Sequence, residues 1–179
     1  EMKILIMGYS GSGKSTLAGY LGKKYGIPVL HLDHVFWLPG WKARPREEMG
    51  KMVARFMEEH DSWVIDGNYT KTEYERRLQE ADRIVILMFN RFFCLYRVWK
   101  RYRKYKGRTR RDMGRGCTEK LDREFVWWVL WEGRTRERRR ESERVRRQYK
   151  GKVMVVRNQK ELNRIYRKGG CKTRRAVSK

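Results

Sequence analysis

A chain of 179 residues, 40% of them hydrophobic, fits one domain with an adequate core. Lys and Arg number 45 against 21 Asp and Glu, and the formal net charge of +24 is several times the roughly 2 to 8 of a small soluble domain, so the partner is expected to be anionic: nucleotide phosphates, nucleic acid or an acidic membrane surface. No apolar run approaches the ~20 residues of a membrane span, no stretch before the first strand can serve as a signal peptide, and Cys94, Cys117 and Cys171 lack C-x-x-C spacing; the expectation is a cytoplasmic protein without a disulfide framework or zinc knuckle.

In chain order, Lys3-Ile4-Leu5-Ile6-Met7 is an apolar run suited to a buried parallel strand. It leads into Gly8-Tyr9-Ser10-Gly11-Ser12-Gly13-Lys14-Ser15, a complete G-x-x-x-x-G-K-[ST] phosphate-binding loop, and Thr16 carries on into a helical pattern ending near residue 25. Strand, loop and helix in that order make a polyphosphate cradle, because loop N–H groups and the positive end of the helix dipole converge. Gly8, Gly11 and Gly13 let the backbone curl, with Ser10, Ser12 and Thr16 completing the ATP-binding loop. Lys14 is placed to reach the β- and γ-phosphates and the Ser15 hydroxyl to ligate Mg²⁺.

Ile27-Pro28-Val29-Leu30-His31-Leu32 predicts a second strand ending at Asp33. A Pro39-Gly40 loop follows, then a helix from Pro45 with Met49, Met52, Val53, Phe56 and Met57 on one face. Ser62-Trp63-Val64-Ile65 predicts a third strand ending at Asp66-Gly67, Thr70 to Glu80 a short helix, and Arg83 to Met88 a fourth strand. A helix rich in aromatics and bases runs from Arg91 to about Tyr105, before a glycine-flanked loop, about 106–119, holding Arg108, Arg110, Arg111 and Arg115. One long helical stretch is expected from Glu119 to Tyr149, then a fifth strand over Lys152 to Val156 and a last helix near 159–168. This alternation predicts an α/β, three-layer αβα domain over 1–168 with a five-stranded parallel sheet, and 169–179 as a basic, disordered tail.

Ligands of such sheets sit beyond the carboxyl ends of the strands. Asp66, preceded by apolar residues, reads as the carboxylate that holds Mg²⁺ with Ser15, the alternative being an Asp-Gly turn. Asp33 is either a substrate ligand or a loop cap; His31 and His34, leaving a strand, suit surface or supporting roles better than metal ligation. Arg97 and Arg101 lie four apart on one helix face just before the glycine-flanked loop, an arrangement suited to a hinged lid that closes over the transferred phosphoryl group, the alternative being a basic, solvated loop. Along an unbroken helix Trp131, Val145 and Tyr149 fall on one core-facing line, with Arg138 about 20° and Arg134 about 60° from it, so that Arg138 would need an anion. Trp127, Trp128 and Trp131 suit core or lid-hinge packing better than base stacking.

The loop Gly8 to Thr16, the segment His31-Leu32-Asp33 with Phe36-Trp37-Leu38-Pro39-Gly40-Trp41, the run Asp61 to Tyr69, and Cys94-Leu95-Tyr96-Arg97 through Gly116-Cys117 resemble the DNA topology modulation protein (FlaR-like) family over nearly the whole chain to about residue 167. The resemblance implies an adenylate-kinase-like P-loop kinase using Mg²⁺-ATP. On it, Arg97 and Arg101 resemble the paired arginines at the start of a kinase lid, Arg134 and Arg138 those that follow the lid, and Asp33, Trp37 and Asn68 are expected on the acceptor side. Asp66-Gly67 matches the Asp-Gly after the third strand of adenylate kinases; Asn68-Tyr69 stands where an arginine normally follows, which leaves the acceptor open.

Three readings result. The leading one is a phosphotransferase of the nucleoside monophosphate kinase type, acting from Mg²⁺-ATP on a small acceptor through Lys14, Arg97, Arg101, Arg134 and Arg138. A second is a small-molecule hydroxyl kinase of the shikimate or gluconate kinase sort, with Asp33 at the hydroxyl. The third is an ATP-switched DNA-binding regulator; without a helix-turn-helix, zinc-finger or RNA-recognition signature, nucleic-acid binding is expected to be weak and sequence-blind.

Overall fold

The computed structural model describes residues 1–167; the basic tail expected over 169–179 lies outside the described residues. In chain order these form β1 (Lys3–Gly8), α1 (Lys14–Tyr25), β2 (Val29–His31), a short α2 (Leu32–Phe36), a hairpin of β3 (Trp37–Leu38) and β4 (Lys42–Ala43), and α3 (Arg46–Glu59). Then come β5 (Trp63–Asp66), α4 (Tyr74–Glu80), β6 (Arg83–Leu87), α5 (Arg91–Tyr105), α6 (Arg123–Leu130), α7 (Arg136–Gln148), β7 (Val153–Val156) and α8 (Gln159–Arg167).

Four consecutive buried residues, Ile4 to Met7, send their side chains alternately to the two faces of β1, so both faces of its sheet must be covered. Ile4 and Ile6 pack with Leu17, Leu21, Val98 and Leu162 from α1, α5 and α8. Leu5 and Met7 pack on the other face with Met49, Val53, Leu78 and Val145 from α3, α4 and α7. Each such buried Leu or Ile contributes about 1.5 to 3 kcal/mol. The sheet is five-stranded and parallel throughout, in the order β2, β5, β1, β6, β7, which is the expected three-layer αβα architecture. The strands therefore end together on one edge, where β1 delivers the phosphate loop, β5 Asp66 and β2 His31.

The structure corrects several expectations. The second strand stops at His31, and Asp33 lies on α2, which returns the chain into the two-stranded hairpin. α4 starts at Tyr74, after a turn closed by the Thr72 N–H on the Tyr69 carbonyl. The expected long helix 119–149 is broken. Asp122 starts α6 by accepting the Phe125 N–H; a 3₁₀ turn over Glu132–Arg134 ends it; Thr135 starts α7 by accepting the Arg138 N–H. At the break the Arg134 side chain donates to the Val129 carbonyl, occupying an acceptor that a continuing helix would use. The phase of the helix is reset there, so the line through Trp131, Val145 and Tyr149 does not exist. Val145 is buried while Trp131 is 47% exposed, and Trp127, at 52%, stacks on it with ring centroids 4.5 Å apart instead of joining the core.

Candidate active site

The phosphate loop is braced from three sides. The Tyr9 N–H donates to the Leu87 carbonyl on β6, and the Asn68 side-chain amide both accepts from the Gly8 N–H and donates to the Gly8 carbonyl, each at 3.0 Å. Trp128 Nε1 donates to the Ser10 hydroxyl at 3.1 Å. Gly13 has φ 97, and a Cβ there would lie 2.7 Å from Arg97 Nη2: the left-handed turn that starts α1 leaves room for a guanidinium against the loop. Ser12 is wholly buried with its hydroxyl on the Tyr9 carbonyl, so its side chain points into the loop, and Thr16 is exposed at the start of α1.

Lys14 Nζ donates to the Tyr9 carbonyl at 3.0 Å. Burial pushes its pKa down while the carboxylates of Asp33 and Asp66 pull the other way. Ser15 donates its hydroxyl to Asp66 Oδ2 at 2.8 Å, and His31 Nδ1 meets Asp66 Oδ1 at 2.6 Å. Burial alone would lower the His31 pKa; the hydrogen bond to Asp66 and its charge outweigh that and raise it. A hydroxyl and a buried carboxylate beside a phosphate cradle are the hard oxygen donors that suit Mg²⁺. His31 is thus the support of a carboxylate, while the exposed His34 reaches only the Arg111 carbonyl.

Across a cleft of about 1770 Å³, Asp33 Oδ1 accepts the Tyr69 hydroxyl at 2.5 Å, and burial together with Asp33 drives the phenol pKa far up, keeping it a donor. Phe36, Trp37 and Trp41 stand beside them, Trp37 edge-on to both neighbours. Asn68 borders the cleft, but both ends of its amide are engaged by Gly8, which makes it a strut of the phosphate loop and not a free acceptor ligand. The wholly buried Arg77 holds this loop up from behind, donating to the carbonyls of Thr72, Gly67, Asn68 and Tyr69. Burial pushes its pKa down to about 10.

The four expected arginines separate. Arg97 lies against Gly13 and donates to Gln159 Oε1 at 2.7 Å. Arg101 lines the cleft with Nε on Glu119 Oε1 at 2.7 Å, while Arg110 Nε takes Glu119 Oε2 at the same distance. Arg138 borders the cleft with its guanidinium 4.7 Å from the Trp128 ring; it is exposed, not turned to the core as the unbroken helix required. Arg134 departs from the expected role: it donates to the Phe89 carbonyl at 2.8 Å and lies 3.8 Å from the Tyr9 ring centroid, behind the loop.

The loop 106–119 is seated on the hairpin. A Cβ on Gly114 would be 1.9 Å from the Trp37 carbonyl oxygen, and Cys117 Sγ donates to the Leu38 carbonyl at 3.2 Å. Tyr69, Glu119, Arg77 and Gln159 were not singled out from the sequence. Only Tyr69 carried a signal, standing where an arginine was expected.

Two solved structures share this architecture. A gluconokinase from Sinorhizobium meliloti 1021 superposes with a TM-score of 0.53 at 16% identity, covering 94% of this chain and 89% of its own. TT1252 from Thermus thermophilus gives 0.55 at 18% identity, covering 93% and 95%. The chain has the P-loop kinase fold. No family model and no curated protein matches it, so the resemblance to the DNA topology modulation family stays unconfirmed. Among the described residues of this P-loop kinase-like chain, no helix is long and apolar enough to cross a membrane.

Proposed function

We propose that the chain is an ATP-dependent phosphotransferase that moves the γ-phosphate of Mg²⁺-ATP to an acceptor bound between α2, the hairpin and the loop 106–119. The observation that carries the reading is the 2.8 Å contact of Ser15 with Asp66, at the foot of a complete phosphate loop whose Lys14 faces the same cleft. Loop N–H groups and Lys14 hold the phosphates, Arg97 adds charge beside Gly13, and Ser15 and Asp66 would hold Mg²⁺, which would supply countercharge to the phosphates. Seating of the loop 106–119 on the hairpin keeps water from the transfer. A cytoplasmic setting, where ATP and Mg²⁺ abound, goes with this reading, and the link to DNA topology suggested by family resemblance has no residue to carry it.

The nucleoside monophosphate kinase form of the reading draws on Arg97, Arg101 and Arg138 in the cleft. A hydroxyl acceptor draws on one specific observation, the Asp33 carboxylate oriented by Tyr69 and acting on Lys14. The test is ADP release from Mg²⁺-ATP with nucleoside monophosphates or hydroxyl compounds, set against the background without acceptor. Turnover at saturating substrate is then compared in two variants. A hydroxyl must lose a proton, so Asp33→Asn is the crippling change, by about 10²- to 10⁴-fold. A phosphate acceptor needs no base and makes Arg138→Ala the severe one, by about tenfold or more. No ADP release with any acceptor in either series would remove the kinase reading.

A further inference from the structure

Resting on the kinase reading in its hydroxyl form, we infer that the acceptor is the terminal hydroxyl of a single-stranded nucleic acid, held along the cleft face of α5. From Arg91 to Arg111 the chain carries ten basic and six aromatic residues and no acid. The face of α5 that lines the cleft carries both kinds: Phe93, Tyr96 and Tyr105 with Lys100 and Lys104, continued by Arg108. Phe93 and Tyr96 are 37% and 53% exposed, and Lys100, Arg108 and Arg111 carry no ion pair among the described residues. Rings open to solvent and interleaved with unpaired cations are what a strand needs, since bases stack on the rings while cations follow the phosphates. Charge complementarity favours a polyanion: a net +24 far exceeds what one small anion balances.

Further features suit a hydroxyl at a chain end. The cleft of about 1770 Å³ runs without a break from the phosphate loop to the face of α5 and Arg108, so an acceptor that reaches Lys14 can extend along α5. Also lining the cleft, Trp41 is held at φ 62, an uncommon conformation for so bulky a side chain, with its ring 5.4 Å from that of Trp37 and Lys120 Nζ 5.1 Å from its centroid, an aromatic and basic corner for a terminal base and its phosphate. Asp33 is fixed by Tyr69 through Oδ1, and Oδ2 has no hydrogen bond among the described residues, which leaves it to receive a proton. In the transfer the terminal hydroxyl oxygen forms a bond to Pγ, the bond from Pγ to the β,γ-bridging oxygen breaks, ADP departs with that electron pair, and the hydroxyl proton passes to Asp33.

The experiment uses the full chain with Mg²⁺ and ATP labelled in the γ-phosphate. Acceptors are a single-stranded oligothymidylate of about ten nucleotides, within the span of known single-strand sites, with either terminal hydroxyl blocked in turn; a blunt duplex of equal length; uridine monophosphate; and gluconate. The expected result is label on the single strand in preference to all others. Asp33→Asn should stop transfer while the strand still binds, read by fluorescence anisotropy. Tyr96→Ala and Lys100→Ala should raise KM for the strand about tenfold with kcat little changed and the melting temperature kept. Label on uridine monophosphate or gluconate but not on the strand overturns the inference and leaves the kinase standing. Equal labelling of duplex and strand overturns it too, as does a chain that ignores the strand but sediments with anionic phospholipid vesicles. If label moves to no acceptor although ATP binds, the kinase reading falls with it.

Discussion

The Ser15 hydroxyl and the Asp66 carboxylate meet at 2.8 Å across 51 residues of sequence, because β1 and β5 run in parallel register and end together. Asp66→Asn keeps the shape and removes the charge. ATP affinity measured by calorimetry should drop about tenfold or more in Mg²⁺ and hardly at all in chelator, the scale on which metal sites respond to altered ligation. Unchanged Mg²⁺ dependence in a folded variant would remove Asp66 from the metal site.

Lys14→Ala should abolish tight ATP binding with little change in melting temperature. Burial already pushes the ammonium's pKa down, and its one hydrogen bond among the described residues is to the Tyr9 carbonyl, so the fold loses little without it. A folded Lys14→Ala protein that binds ATP as the wild type does would count against the whole site.

Arg77→Met tests a residue that contacts no substrate. It leaves carbonyls of the loop 67–72 without donors, and denaturant unfolding should report a loss of about 3 kcal/mol or more, the sum expected for several stranded buried acceptors. Activity should fall with it, since Asn68 and Tyr69 hang from the same loop.

Gly114→Ala should separate chemistry from nucleotide binding. The added methyl meets the Trp37 backbone oxygen at 1.9 Å, which no rotamer relieves, so the loop 106–119 cannot seat on the hairpin. The expected outcome is at least a tenfold loss of turnover with ATP affinity within about twofold, as for other lids that gate transfer. Full turnover in this variant would show that seating is not needed.

Glu80 supplies a pH test. Partial burial would raise its pKa, but hydrogen bonds from Lys3 and Arg76 outweigh it and hold the carboxyl low. A folded pKa below the unfolded value means stability that is fully present above the ordinary carboxylate pKa, about 4.3, and lost as pH falls through the depressed one. Glu80→Gln should therefore lower the melting temperature slightly at pH 7 and not at all at strongly acid pH.

The phosphate loop and the sheet were legible in the sequence because both are written locally: the loop in eight consecutive residues, the strands in apolar runs between turn residues. The hairpin was not, since two-residue strands are too short to show alternation. The helix break at 131–135 was hidden by a run of good helix formers, although Thr135 ahead of Arg136-Glu137 is an N-cap signal and Gly133 a weak point. Partner choice was the least legible. Nothing local tells that Glu119 takes Arg101 and Arg110, that Arg134 turns to the Phe89 carbonyl, or that Arg77 goes inside. Among so many arginines, each role depends on which carbonyl or carboxylate the fold brings near.

The double hydrogen bond between Asn68 and Gly8 joins the loop 67–72, which borders the cleft where an acceptor is proposed, to the first glycine of the phosphate loop. Whatever displaces one displaces the other, so occupancy of one compartment changes the free energy of filling its neighbour. Thermodynamic reciprocity then fixes the terms: the factor by which ATP tightens or loosens acceptor binding must equal the factor by which the acceptor alters that of ATP. Cutting this strut with Asn68→Ala should bring both factors toward one together.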